Sequence, residues 1–211
     1  MKLGIVGAGS VGGTLGKAWA AKGHQIKYGV RRPDSPETQE AVRATGGGAS
    51  AEGVREAAAF GEVVVLATPW GDATKRAIES AGNLNGKIVI DCTNPVKPDL
   101  SGLAIGHDTS AAEQVAGWAR GAKVCKAFNT VGFHVMANPN FQDRKAGMFV
   151  CGDDAAAKKV VLQLASGIGF EPIDAGGLSS ARLLEPVAML WIHLALHQGL
   201  GPDFGFGLLR R

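Results

Sequence analysis

The 211-residue chain holds only three cysteines, Cys92, Cys125 and Cys151, and no pair of them stands at C-x-x-C spacing. That absence argues against a thiolate metal site, and an odd count does not suggest a secreted disulfide framework. Each lies in or beside an apolar run, where a cysteine packs as a small hydrophobe. Charge is also sparse. The 22 Lys and Arg against 19 Asp and Glu leave a net +3, too small and dispersed for nucleic acid to be the main partner. The terminal Arg210-Arg211 reads as a short solvated end rather than a polybasic tract. No apolar run reaches the roughly 18 residues that span a bilayer. No repeat or low-complexity segment stands out. A strand-like run begins at Lys2, so no signal peptide is expected. The expectation is a soluble, cytoplasmic protein without membrane attachment.

What is present is alternation. Strand-like apolar runs fall at 2–6, 25–30, 62–67, 87–91, 123–127, 147–151 and 170–174. Helical patterns fall at 11–22, 37–45, 52–59, 71–81, 110–119, 154–166 and 179–198. Such alternation predicts an α/β fold of Rossmann type: a doubly wound, mostly parallel sheet with helices on both faces. Val63-Val-Val-Leu66 is apolar throughout, as a strand covered on both sides should be. Residues 1–175 are read as the nucleotide-binding unit, and 176–211 as a helical C-terminal extension of the same compact unit.

The first strand-like run leads directly into Gly7-Ala8-Gly9-Ser10-Val11-Gly12. This G-x-G-x-x-G follows a strand and opens a helix, the context that gives the motif meaning. Gly7 suits the tight turn, Gly9 lets a pyrophosphate approach the backbone, and Gly12 lets helix and strand pack closely. The helix start near Ser10 aims free N–H groups and its positive dipole end at phosphate. An NAD site carries an acid about 20 residues further on. Here the second run ends in Val30-Arg31-Arg32. A guanidinium bonds a 2′-phosphate, where a carboxylate would repel it. The pattern points to NADP(H). The competing readings are a glycine turn without a ligand, and Asp34 holding the ribose of NAD.

In open parallel sheets, ligands bind beyond the carboxyl ends of the strands. Those ends read Thr68-Pro69-Trp70, Cys92-Thr93-Asn94-Pro95 and Ala127-Phe128-Asn129-Thr130. They hold small polar groups and rings, with no evident nucleophile or strong acid. Asn94 and Asn129 are the candidates for orienting a nicotinamide amide or an acceptor carbonyl; the alternative is that each caps a turn. Trp70 either stacks near a cofactor or staples the helix that follows it.

Several segments together resemble the coenzyme F-420-dependent NADP oxidoreductase family, and also the cytoplasmic reductase domain of the STEAP metalloreductases. They are Gly7 to Gly13, Thr68-Pro69-Trp70, Lys126-Ala-Phe-Asn-Thr130, Val150-Cys-Gly-Asp-Asp154, and Asp174 to Arg182 with Leu184-Glu185. The resemblance implies an NADPH-binding fold that exchanges hydride with coenzyme F-420 or with FMN or FAD, and it implies a homodimer. It implies that Gly7, Ala8, Gly9, Ser10, Val11, Gly12, Arg31, Arg32, Thr68, Pro69, Trp70, Asn94, Pro95, Ala127 and Asn129 line the cofactor. Two departures stand out. Val30 replaces a small hydroxyl residue that often precedes the first arginine. Asn129 stands where the archaeal deazaflavin enzymes carry a histidine near the acceptor ring.

Hydride transfer between two ring systems needs stacking, orientation and exclusion of water rather than an activated nucleophile. A hydroxy-acid dehydrogenase would need a general base and a carboxylate clamp. An NADPH-dependent reductase of a small carbonyl or imine, and a non-catalytic NADPH redox sensor, are the other readings. His193 and His197 stand four apart without a third ligand, so no metal is expected. His134 follows the Phe128–Thr130 segment and is a weaker candidate near the acceptor. The helix around Pro186–Leu196 is apolar nearly all round. It is therefore expected to be buried, with the Phe204–Leu209 tail, at or near the contact of a symmetric dimer.

Overall fold

The computed structural model describes residues 1–209 and 211; Arg210, half of the basic end noted above, lies outside the described residues. Its centre is an eight-stranded sheet in the order β10-β9-β6-β5-β4-β1-β2-β3. The inner strands are β1 (Lys2–Val6), β2 (Gln25–Gly29), β4 (Val63–Leu66), β5 (Ile88–Asp91) and β6 (Lys123–Lys126). They pair in parallel, so their carboxyl ends share one edge. Strand β9 (Gly147–Gly152) runs antiparallel to β6, and β10 (Glu171–Asp174) runs parallel to β9. This is the doubly wound, mostly parallel sheet that the alternation predicts.

Helices cover both faces because the strands are apolar on both. On one face, α1 (Ser10–Ala20), α2 (Pro36–Thr45), α6 (Phe133–Ala137) and α7 (Ala155–Gly167) pack with Leu3, Ile5, Val63, Val65 and Ile90. On the other, α3 (Val54–Phe60), α4 (Asp72–Ala81), α5 (Ala111–Trp118) and α8 (Ala181–Ile192) pack with Val6, Val64, Leu66, Val89 and Val124. Successive strand residues thus feed opposite layers, as the pleat requires. Each fully buried Leu, Ile or Val contributes roughly 1.5–3 kcal/mol of transfer free energy. Trp19 is fully buried, and its indole N–H donates to the Leu164 carbonyl at 3.1 Å, which ties α1 to α7.

Three short elements lie outside the predicted set. Strand β3 (Ser50–Glu52) has no apolar alternation; it exists because β2 offers an open edge, and the Lys27–Glu52 ion pair at 2.5 Å fastens it. Helix α6 and the small hairpin of β7 (Asn140–Phe141) and β8 (Arg144–Lys145) fill the return that reverses β9. The last helix differs more. A 3-10 turn (Leu178–Ser180) precedes α8, and a π-turn (His193–His197) ends it. It is not buried all round. Leu184, Glu185 and Ala188 are buried, but Leu183 is 68% exposed, Leu190 48% and Leu196 60%. The helix lies on the outside of its layer, so α5 and the sheet can cover only one side of it.

Candidate functional site

The carboxyl ends of β1, β2, β4, β5 and β6 bring most of the predicted residues to one edge. At β1 the chain turns through Gly7, whose φ of +104° is a left-handed region open to glycine. A Cβ on Gly12 would overlap the Gly7 carbonyl oxygen, so its lack of a side chain is what lets α1 sit against the turn. A Cβ on Gly9 would meet nothing within 4 Å. The demand for glycine there therefore comes from what approaches, not from the fold. Helix α1 begins with Gly9 as N-cap and no side-chain cap bond, and Ser10 is exposed beside half-buried Val11. Its first N–H groups are available to an anion. Ala8 is half-buried in the turn.

Arg31 and Arg32 follow β2 and are exposed, and among the described residues neither joins an ion pair. Asp34 is likewise exposed on the loop that leads to the Ser35 N-cap of α2. After β4, the Thr68 hydroxyl meets the Thr74 hydroxyl at 2.9 Å, and Thr74 donates to the Pro69 carbonyl at 2.9 Å. Trp70 stacks on Trp118 of α5, with centroids 5.4 Å apart and planes at 22°. That contact engages one ring face in tying the loop before α4 to α5 rather than to the helix that follows Trp70.

The ends of β5 and β6 form a closed polar arrangement. Asn94 donates through Nδ2 to the Asn129 carbonyl at 2.8 Å. Asn129 donates through Nδ2 to Asn94 Oδ1 at 3.0 Å and to the Leu184 carbonyl of α8 at 3.2 Å. Neither side chain caps a turn. Asn129 Oδ1 and Thr130 Oγ1 are buried without a hydrogen-bond partner. An unpaired buried polar atom costs about 1–3 kcal/mol; the Thr130 hydroxyl can donate or accept, whereas Asn129 Oδ1 is satisfied only by a donor. Ala127 is fully buried, and Pro95 is buried with its carbonyl accepting from Ala104 at 2.6 Å. Phe128 sits between, with φ of +60°. A left-handed conformation at a bulky residue stores about 1–3 kcal/mol. It is held by the ring, edge-on to Trp19 and Phe170, and it swings Asn129 toward the strand ends. His134 is exposed on α6, with its ring 3.9 Å from that of Phe133. His193 and His197 are exposed with rings 5.5 Å apart, and no third ligand joins them among the described residues.

Beneath the asparagines lies a cluster that motif reading passes over. Lys126 Nζ donates to Asp91 Oδ2 at 2.8 Å, to the Thr93 carbonyl at 2.5 Å and to Glu185 Oε1 at 2.9 Å. Lys126 and Asp91 are fully buried and Glu185 is 1% exposed. Burial alone would lower the lysine pKa, but the two carboxylates outweigh it and hold the ammonium above its ordinary range. The signal was present in the sequence as three charges inside apolar runs. Such residues are almost never buried without a partner. Thr130 is the second omission; its hydroxyl is silent until burial is known.

Residues 2–95 match the family described as NADP oxidoreductase, coenzyme F420-dependent. The chain is 30% identical over 206 residues to the F420-dependent NADP reductase of Methanocaldococcus jannaschii, covering 92% of each protein. It is 30% identical over 192 residues to the metalloreductase STEAP3 of Rattus norvegicus, covering 89% of this chain but only 36% of the rat protein's length. A crystal structure from Arthrobacter sp. fb24, proposed as an F420-dependent NADP reductase, superimposes with a TM-score of 0.89 at 31% identity over the whole of both chains.

Proposed function

We propose that this chain, which belongs to the coenzyme F420-dependent NADP oxidoreductase family, binds NADP(H) and exchanges hydride with a deazaflavin substrate. The carrying observation is the unfilled acceptor at Asn129 Oδ1, set beside an uncapped helix start and two unpaired arginines on one sheet edge. The residues fit the cofactor. The α1 N-terminus and Gly9 would hold the pyrophosphate. Arg31 and Arg32 would take the 2′-phosphate. Asn129 Oδ1 would accept from the carboxamide, and Asn94 would keep Asn129 in place. The nicotinamide supplies the hydride chemistry when bound.

The character of the β5 and β6 ends favours ring-to-ring transfer over carbonyl reduction. They are amides and hydroxyls, and the one ammonium among them is sealed in ion pairs. Reduction of a carbonyl to an alcohol needs a positioned proton donor; transfer to a conjugated ring needs stacking and dryness. The same reading places the protein in the cytoplasm, which its three unpaired, buried thiols suit. It also makes the protein a homodimer, for which the uncovered Leu183 and Leu190 of α8 argue. No helix of the described residues is long and apolar enough to cross a membrane.

The test is anaerobic NADPH oxidation by the purified protein, with coenzyme F420, FMN and FAD offered separately and NADH as the control donor. Rapid turnover with the deazaflavin is the expected result. Turnover with FMN or FAD alone would move the acceptor to a flavin, the chemistry the STEAP resemblance implies. Tight NADPH binding without oxidation by any of them would make the protein a sensor or a reductase of another substrate.

A further inference from the structure

The Asp91–Lys126–Glu185 cluster is buried and lies under the proposed carboxamide site. All three ammonium protons are engaged, by Asp91, the Thr93 carbonyl and Glu185. The outer oxygens are satisfied as well. Asp91 Oδ1 accepts from the Thr93 N–H at 2.9 Å and the Thr93 hydroxyl at 2.7 Å. Glu185 accepts from the Ala111 N–H at 2.9 Å and the Ala112 N–H at 3.2 Å, the first residues of α5.

Each segment that the ammonium grips is gripped a second time by an asparagine amide. Thr93 precedes Asn94; Lys126 lies three residues before Asn129; Glu185 follows Leu184, whose carbonyl accepts from Asn129. Two layers of hydrogen bonds therefore join the same three segments, the lower centred on Lys126 and the upper on Asn129. A buried ion triad is weak evidence of stabilisation, because desolvation consumes most of its Coulomb energy and apolar replacements are often as stable. What it supplies instead is direction: three acceptors fixed around one point.

We propose that Lys126 is a positioning residue for the carboxamide end of the cofactor. It aims the free Asn129 Oδ1 by locking Thr93-Asn94 and Leu184-Glu185 onto the end of β6, and it makes no contact with the ligand. The inference rests on the NADP(H) reading above and deepens it. It assigns α8 and its Glu185, which lie far along the chain from the glycine turn, to the nicotinamide half of the site.

The experiment compares two ligands on the full chain by titration calorimetry: NADP⁺, and 2′-phospho-ADP-ribose, which keeps the pyrophosphate and the 2′-phosphate and lacks the nicotinamide. Lys126→Met leaves two carboxylates without their cation, so the double variant Lys126→Met/Glu185→Gln is made beside it. In whichever variant keeps the wild-type circular dichroism, the preference for NADP⁺ over the fragment should fall about tenfold, the worth of about one hydrogen bond. Affinity for the fragment should stay within about twofold, since its phosphates sit at β1 and β2. Equal loss for both ligands, an unchanged preference, or failure of both variants to fold would overturn the proposal and leave Lys126 a structural tie. If the wild type binds NADP⁺ but reduces no offered acceptor, the deazaflavin assignment fails while the ligand comparison still decides on Lys126.

Discussion

Single side chains at the strand ends divide the work between charge and shape. Arg31 is exposed and, among the described residues, free of ion pairs, so its removal costs the fold little and the ligand much. A charge-assisted hydrogen bond is worth about 1.5–3 kcal/mol. Arg31→Ala should therefore weaken NADPH binding about 10- to 100-fold while NADH affinity changes little. Equal losses for both nucleotides, measured by fluorescence titration, would remove the 2′-phosphate from Arg31. Asn129→Ala should lower NADPH affinity about tenfold, the worth of its one hydrogen bond, and turnover further, about 100-fold, because the amide also orients the reacting ring. Unchanged kcat would take Asn129 out of the site. Burial raises the Cys125 and Cys151 thiols to about 12. All three cysteines, buried in the native chain, should stay silent to a thiol reagent at pH 8 and react after unfolding.

Among the elements, the β1 turn and α1 separate what the fold needs from what the ligand needs. Gly12→Ala would push a methyl into the Gly7 carbonyl and force α1 away from its strand. A loss of about 1–3 kcal/mol in urea unfolding is expected. Gly9→Ala meets nothing within 4 Å, and Gly9 has φ of −77°, which alanine adopts freely. Its stability should stay within about 0.5 kcal/mol of wild type. NADPH affinity should nonetheless fall at least about tenfold, because the methyl occupies the space a pyrophosphate would use. A destabilised Gly9→Ala protein that still bound NADPH would reverse the two roles. Both glycines look alike in the motif; only the surroundings of their absent side chains tell them apart.

For the whole molecule, the uncovered side of α8 is the feature that a single chain leaves unresolved. Leu183 and Leu190 on α8 are 68% and 48% exposed, and Leu196 and Leu200 in the turn and chain beyond it are 60% and 63% exposed, more apolar surface than water covers well. Leu190→Glu should shift the protein from dimer to monomer in sedimentation at micromolar concentration. A wild type that already sediments as a monomer would sink the dimer. Stability against pH follows from the ion pairs. Lys126 binds its proton more tightly in the folded chain, so its contribution is complete below its ordinary value of 10.5 and lost as pH rises through the higher folded value. Glu113, bonded to Arg182, is held below its ordinary 4.5; Asp154, bonded to the Ala157 N–H, and Asp174, bonded to Lys158, are held below 3.8. Those contributions are complete above the ordinary values and lost as pH falls through the lowered ones. The buried thiols of Cys125 and Cys151, raised from 9.0 to about 12, add a loss that begins as pH rises through 9.0, and His24, lowered from 6.5 by burial, adds one as pH falls below 6.5. Urea midpoints should therefore be flat only from about pH 7 to about pH 8.5 and decline on either side. A decline inside that window would point to a titrating group other than these.

Much of this protein is legible along the chain because its signals are contiguous. The strand-turn-helix at residues 2–20, the arginines after β2 and the apolar run at Val63–Leu66 each carry their meaning within a few residues. Geometry of that kind depends on local backbone sterics and on the period of apolar side chains. What tertiary structure alone decided involves partners far apart in sequence. Lys126 meets Asp91 across 35 residues, and Glu185 meets Ala111 across 74. Strand β3 exists because β2 has a free edge, and β9 reverses because α6 and a hairpin turn the chain. The outer side of α8 stays exposed because its neighbours can reach only one side. Charge burial, strand direction and helix coverage are properties of who lies next to whom, and closing the loops between them is settled by the packing of the whole sheet.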